Sequence, residues 1–339
     1  MPMNFLPRRR RARVRDASGA SGMARAVIFL LTCAACLCAY PIHAQQLWMM
    51  PPASADGRSL RQLLADPEQW TQTRARVDVL GYADHLLNTQ FTDEELRRWL
   101  PQLKRLGLKL GLEVGAVKPW GTTGSKTFEI ERRMWDRFQS LGGEIYAVAM
   151  DEPLTAVLHD LHESNEYAVE QTAQFILLVR QHYPNVLIGD IEPYPAFSPL
   201  QLVQFIDALQ ARLKQLHVKG LDFFRLDVDW MNFVVGNPGS WKQVKGLEME
   251  CRQRDIRFGL IYWGADYPKM SQMKLADDST WYVAVMQQGY DYAAVGGTPD
   301  EYVIESWVDA PAQTIPENAE WSFTRSVLDF SRKFIQSGK

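Results

Sequence analysis

Asp151, Glu152, Asp190, Glu192, Asp227, Asp229 and Glu305 are carboxylates set within or at the ends of short apolar runs rich in β-branched and aromatic residues. An unpaired buried carboxylate costs several kcal/mol or shifts its pKa, so acids in such places suggest acid–base chemistry. Asp151 and Glu152 are adjacent, and burying two carboxyls side by side raises the pKa of one of them. Glu152 is the expected general acid, with Glu192 or Asp229 as the ionised partner that serves as nucleophile or base. Aromatics stand at or just beyond the ends of runs of the same kind: Trp48, Trp120, Trp230, Trp263 and Trp307, joined by Tyr82, Tyr194 and Tyr267. Sugars present flat C–H faces that lie on aromatic rings and hydroxyls that suit carboxylates, so this combination predicts a carbohydrate site. A purely structural reading competes with it: Arg225 would neutralise Asp227 and Asp190, Asp78 and Glu113 would tie the barrel together, and the aromatics would plug its rim.

The elements that must hold these residues are legible in the pattern. Eight runs, Gln46–Met50, Val77–Asp84, Leu108–Val117, Glu144–Glu152, Val186–Pro195, Leu221–Trp230, Arg257–Gly264 and Tyr302–Trp307, read as strands. Between them lie segments of helical period: one opened by Thr92-Asp93-Glu94-Glu95, then Phe128–Leu141, Glu166–His182, Pro199–Gln215, Trp241–Arg254, Met273–Gly289 and a closing Phe323–Ile335. Eight alternating units predict an α/β fold, a single-domain (β/α)8 TIM barrel whose site lies at the C-terminal strand ends. In Leu221–Trp230, Phe224, Leu226 and Val228 share one face, which aims Arg225, Asp227 and Asp229 into the lumen. The same count groups Asp78, Tyr82 and Asp84 on the second strand, Glu113 on the third, Asp190 and Glu192 on the fifth, and Glu305 with Trp307 on the eighth, all expected inward.

The fourth run ends in Ala149-Met150-Asp151-Glu152-Pro153. Here the chain resembles the glycoside hydrolases built on (β/α)8 barrels, whose largest clan closes its fourth strand with Asn-Glu, the Glu being the acid/base. The resemblance implies that role for Glu152, with Asp151 in place of the Asn. That clan carries its nucleophilic Glu at the end of strand seven, where this chain offers only Asp266. Amylase-like barrels use strands four, five and seven, near Asp151, Glu192 and Asp266; melibiase-like barrels use four and six, near Asp151 and Asp229. The resemblance implies an exported glycoside hydrolase or transglycosidase acting on a polysaccharide or oligosaccharide, with Asp151, Asp227, Arg225, Glu305, Trp120, Trp230, Trp263, Trp307, Tyr82 and Tyr194 binding substrate. The alternative is a non-catalytic carbohydrate-binding barrel in polysaccharide synthesis or export.

Residues 1–44 read as a signal peptide, an apolar stretch from Ala26 to Tyr40 behind a basic lead with a small-residue cleavage site at Ile42-His43-Ala44. Met23-Ala24-Arg25 would open a signal of ordinary length, which makes residues 1–22 a candidate mis-assigned start. The stretch is short for a membrane span, so secretion or a periplasmic location without stable membrane insertion is expected; an uncleaved anchor is the competing reading. Seven of the 37 Lys and Arg and one of the 40 Asp and Glu fall in this segment, which leaves 30 against 39 and a formal charge of −9 for residues 45–339. So acidic a chain is a poor nucleic-acid binder. Cys33, Cys36 and Cys38 also lie in the segment, so Cys251 alone remains and no internal disulfide is possible. No cofactor is expected, and no metal: His159-Asp160-Leu161-His162 lacks the paired spacing of a zinc helix; an acid-only Mg or Ca site within Asp227, Asp229 and Glu192 is the competing reading. No Gly-x-Ser-x-Gly elbow or phosphate-cradling glycine loop follows a strand. The oligomeric state is not legible.

Overall fold

The computed structural model describes residues 44–230, 239–264 and 277–336. The expected signal segment up to His43, together with Asp266, Tyr267 and the start of the expected helix from Met273, lies outside the described residues. Eight parallel strands form one closed barrel in sequential order: β1 (Gln46–Met50), β2 (Val79–Ala83), β3 (Lys109–Val114), β4 (Ile145–Asp151), β5 (Leu187–Tyr194), β6 (Phe223–Val228), β7 (Arg257–Tyr262) and β8 (Glu301–Glu305). Closure is made by β1 on β8, paired from Gln46 opposite Glu301 to Met50 opposite Glu305.

The helices begin where capping chemistry permits. Thr92 accepts from the Glu95 amide while Glu95 returns a bond to the Thr92 amide, opening Asp93–Arg105, and Ser198 and Gln201 do the same for Pro199–Gln215. Gly124–Ser140, Asn165–His182, Trp241–Gln253 and Phe323–Phe334 likewise start on a Ser or Thr cap. The penultimate helix runs Asp278–Ala294 from its Asp277 cap, later than its apolar period suggests, and the short helices Arg58–Ala65 and Asp84–Gln90 carry no strong sequence signal. Among the described residues, no helix is long and apolar enough to cross a membrane.

The strands separate two apolar layers. The larger lies between sheet and helices and includes Leu80, Tyr82, Ile188, Tyr194, Phe224, Leu226 and Tyr262. The smaller fills the lumen with Trp48, Met50, Val79, Ala147, Ala149, Ile191, Phe223, Ile261, Trp263 and Val303. Its large rings fit because small residues face them: a Cβ at Gly111 would fall inside the Trp48 ring, and one at Gly189 inside the Phe223 ring. Cys251 sits buried in Trp241–Gln253, where burial pushes its thiol up.

These layers fix which way each strand faces and correct the faces expected for β5 and β2. In β5, Ile191 belongs to the lumen while Ile188 and Tyr194 pack under the helices, so Asp190, Glu192 and Tyr194 face outward, not inward. In β2, Val79 faces the lumen, which turns Asp78, Tyr82 and Asp84 to the helix side. Tyr82 donates its hydroxyl to Gln90 and Tyr194 to Gln243, each within the outer layer. The expectation fails because it requires the helix-facing side of each strand to be apolar. Here the helix side supplies polar partners to Glu192, Tyr82, Tyr194 and Asp84, while neither carboxyl oxygen of Asp190 has a hydrogen-bond partner among the described residues.

Candidate active site at the barrel mouth

Five carboxyls converge at the C-terminal end of the barrel: Glu113 from β3, Asp151 and Glu152 from the end of β4, Asp227 from β6 and Glu305 from β8. Burial and the neighbouring Asp151 push Glu113 up to about 8, even though its carboxyl hydrogen-bonds Glu305. Burial and that same Glu113 raise Glu305 well above its ordinary range. Two acids in hydrogen-bond contact share a proton, so this pair carries about one charge rather than two.

Glu152 closes β4 in the left-handed region, at φ 47° and ψ 53°, a conformation costly for a residue with a side chain. Pro153 comes next, and a residue before proline is kept out of the right-handed helical region. The chain thus turns directly from strand into the helical turn Pro153–Thr155 and a π-helical turn, Ala156–Asp160. The Glu152 amide donates to the Ile191 carbonyl of β5 at 3.0 Å, which anchors the bend. Burial, then repulsion from Asp151, pushes the Glu152 carboxyl up to about 7.

Asp151 pairs with Lys118 Nζ at 2.6 Å. Lys118 was not foreseen as a site residue. It opens the turn Lys118-Pro119-Trp120-Gly121, whose ends exchange backbone bonds and whose second position holds the proline that such turns favour. A lysine directly after the apolar run Leu108–Val117, five residues past Glu113, was the signal available. Trp120 is 49% exposed and lies over Gly115, at the end of β3.

Two strands round the barrel from β4, Asp227 accepts the indole N–H of Trp263 at 2.7 Å. Burial raises Asp227 well above its usual range, with Glu152 the first of the charges that add to the rise. Trp263 packs at 4.5 Å between centroids on Trp307, which is 41% exposed at the rim. Asp229 lies one same-face step beyond Asp227, partly buried, its amide donating to the Tyr194 carbonyl. Trp230 is next along the chain, also partly buried.

Beneath the mouth, Arg225 is 1% exposed and spans 2.8 Å to Glu301, with its guanidinium 3.7 Å over the Trp48 ring. Arg257 reaches the other oxygen of Glu301 at 3.1 Å. Arg225 therefore faces inward as expected but is committed to Glu301, not to Asp227 and Asp190. Of the site residues read from sequence, the structure gathers Asp151, Glu152, Asp227, Glu305, Trp263 and Trp307 at the mouth and keeps Arg225 below it. It places Asp229, Trp230 and Trp120 at strand ends and puts Glu192, Tyr82 and Tyr194 outside the lumen. Among the described residues, no three or more His, Cys, Asp and Glu are arranged to hold a metal ion.

No protein-family model matches the chain, and no curated protein matches it. Among solved structures, it is similar to a glucosidase from Croceicoccus marinus, at 14% identity and TM-score 0.48, covering 79% of this chain and 63% of that one. It is also similar to an intracellular xylanase from Thermoanaerobacterium saccharolyticum, at 10% identity and TM-score 0.48, over 79% and 88% of the two chains. An aldolase from Escherichia coli K12 matches at 11% identity and TM-score 0.44, over 86% and 88%. These barrels, mostly enzymes, do different chemistries, and one fold hosts many functions, so the likeness assigns none.

Proposed function

We propose that the protein is an exported glycoside hydrolase or transglycosidase acting on a polysaccharide or oligosaccharide, with Glu152 as its general acid. The observation that supports this most is Glu152 itself, a carboxyl whose pKa is pushed up to about 7 at the mouth of the barrel, with a second carboxyl, Asp227, two strands away. Glycosidic cleavage needs one protonated carboxyl beside the leaving oxygen and one ionised carboxyl across the sugar ring. The Trp263 indole N–H favours the charged form of Asp227 against the burial that raises it, which is the direction an ionised partner needs.

The partner comes from β6, either Asp227 or its same-face neighbour Asp229. It acts as nucleophile at a carboxyl separation of about 5–5.5 Å, or as base toward water at about 6.5–9.5 Å. Trp307 and Trp263 offer a face for the sugar ring, and the Glu113–Glu305 pair can both donate to and accept from hydroxyls. Lys118 is a poor nucleophile here, since Asp151 keeps it charged and raises its ammonium pKa despite burial.

The second reading, a binding barrel without turnover, draws support from Glu192, which faces away from the lumen and cannot pair with Glu152 across a substrate. A panel of bacterial exopolysaccharides and oligosaccharides separates the two when reducing ends and binding are monitored independently. Release of reducing ends supports hydrolysis, whereas binding without release supports the binding barrel.

A further inference from the structure

Lys118 and Asp151 set a donor and an acceptor side by side at the mouth, 2.6 Å apart, with side chains 18% and 41% exposed. The loop that carries Lys118 does not depend on this pair for its shape. Gly115, just past β3, donates its amide to Glu131 at 3.0 Å, and Lys118 and Gly121 exchange backbone bonds at 3.1 and 2.8 Å. Thr127 gives its hydroxyl to the Gly121 carbonyl at 2.5 Å, and Tyr167 gives its own to the Thr122 carbonyl at 2.9 Å. With the loop fixed by these bonds, the Lys118 ammonium is available to a ligand: one proton goes to Asp151 and two more remain to be given. Trp120, in the same turn, is exposed, with its ring against Gly115. Adjacent sugar hydroxyls each donate and accept, so an ammonium beside a carboxylate matches them with charge-assisted bonds, and an exposed indole offers a ring face nearby.

We propose that Lys118, Asp151 and Trp120 form a second sugar subsite on the β3–β4 side of the mouth, so that the barrel holds an internal stretch of polysaccharide and cuts within the chain. This rests on the reading of the mouth as a glycosidic site. The other platform, Trp263 and Trp307, follows β7 and β8 and joins ring to ring at 4.5 Å. In barrel order β8 and β3 are three strands apart, with β1 and β2 between them, while β4, which ends in Asp151 and leads into Glu152, adjoins β3. A chain that rests on both platforms therefore crosses the mouth, with sugar units on either side of the bond presented to Glu152. Removal of a single terminal sugar would need only one of the two.

The test uses oligosaccharides of increasing length, prepared by partial hydrolysis of the panel polysaccharide that the protein binds. Calorimetry on wild type shows affinity rising with length until both platforms are filled. Lys118→Met keeps the stem and removes the ammonium: affinity stops rising at a shorter length, and the dissociation constant of the long oligomers increases about tenfold, the size of a hydrogen bond to a charged group. Trp120→Ala shortens the same range, and Lys118→Arg, which keeps charge and donors, restores most of the loss. The early products of wild type span many lengths. An equal loss of affinity at every length in Lys118→Met, or none, overturns the subsite, and so does release of only the terminal sugar. Length-dependent binding without any release of reducing ends leaves the two platforms standing and overturns the hydrolytic reading. A protein that binds no polysaccharide of the panel overturns both.

Discussion

At Glu152 two effects act in one direction: burial strips water from the carboxyl, and the adjacent Asp151 repels its charge. A general acid works only while protonated, so kcat/KM should fall as pH rises through about 7, the value to which Glu152 is pushed. Asp151→Asn removes the repulsion and leaves Lys118 unpaired beside Glu152, and both changes move that limb to lower pH. A limb that stays in place in Asp151→Asn would assign the titration to another group. The rim aromatics belong to binding instead. Trp307→Ala should raise the dissociation constant of a bound oligosaccharide roughly two- to tenfold, the size of an aromatic contact worth about 0.5–1.5 kcal/mol, with a smaller change in kcat. Calorimetry alongside initial rates checks that division. The adjacency of Asp151 and Glu152 was legible in the sequence because their covalent neighbourhood alone creates the repulsion. Lys118 was not, because its partner lies 33 residues away on the next strand.

The strands were legible as elements but not always as faces. In β6, Phe224, Leu226 and Val228 leave only one side apolar enough for the helices, so Arg225 and Asp227 could be placed inward. In β5, Ile188 and Tyr194 stand on one side and Leu187 and Ile191 on the other, so the apolar pattern sets no direction, and a period-two count is inverted by one wrong choice. The residue just past β2 shows what an outward acid does instead. Asp84 accepts the Trp135 indole N–H at 2.8 Å and meets Glu131, whose other contact is the Gly115 amide at 3.0 Å. Burial and Asp84 raise Glu131, so the fold favours its protonated form. A carboxyl whose folded pKa is raised stabilises fully below its unfolded range, and that stabilisation is lost as pH rises through the folded value. Melting temperature should therefore fall on going alkaline, and Glu131→Gln, which keeps a donor toward Asp84 and an acceptor for Gly115, should flatten that fall. Parallel melting curves for wild type and variant at every pH would remove the pair from the stability of β3.

Across the whole molecule, the count of eight strand–helix units was readable because each turn from strand to helix leaves a composition change that needs no partner to be seen. The shape of the mouth was not, since it depends on which side chains from separate strands share a proton. The leader is a separate matter: we propose cleavage after Ala44, which N-terminal sequencing of exported protein would test by reading Gln45 first; a chain retaining residues 1–44 would support an anchor. The central claim is that this barrel breaks glycosidic bonds with a proton from Glu152. Its most direct measurement compares reducing-end release by wild type and Glu152→Gln on the same cleaved polysaccharide. Gln keeps the shape and hydrogen-bonding capacity of the side chain but cannot give up a proton, so kcat should fall by about 10²–10⁴ while substrate affinity stays nearly constant. Turnover that survives the substitution at the wild-type rate would contradict the account and move the acid to another carboxyl of the mouth.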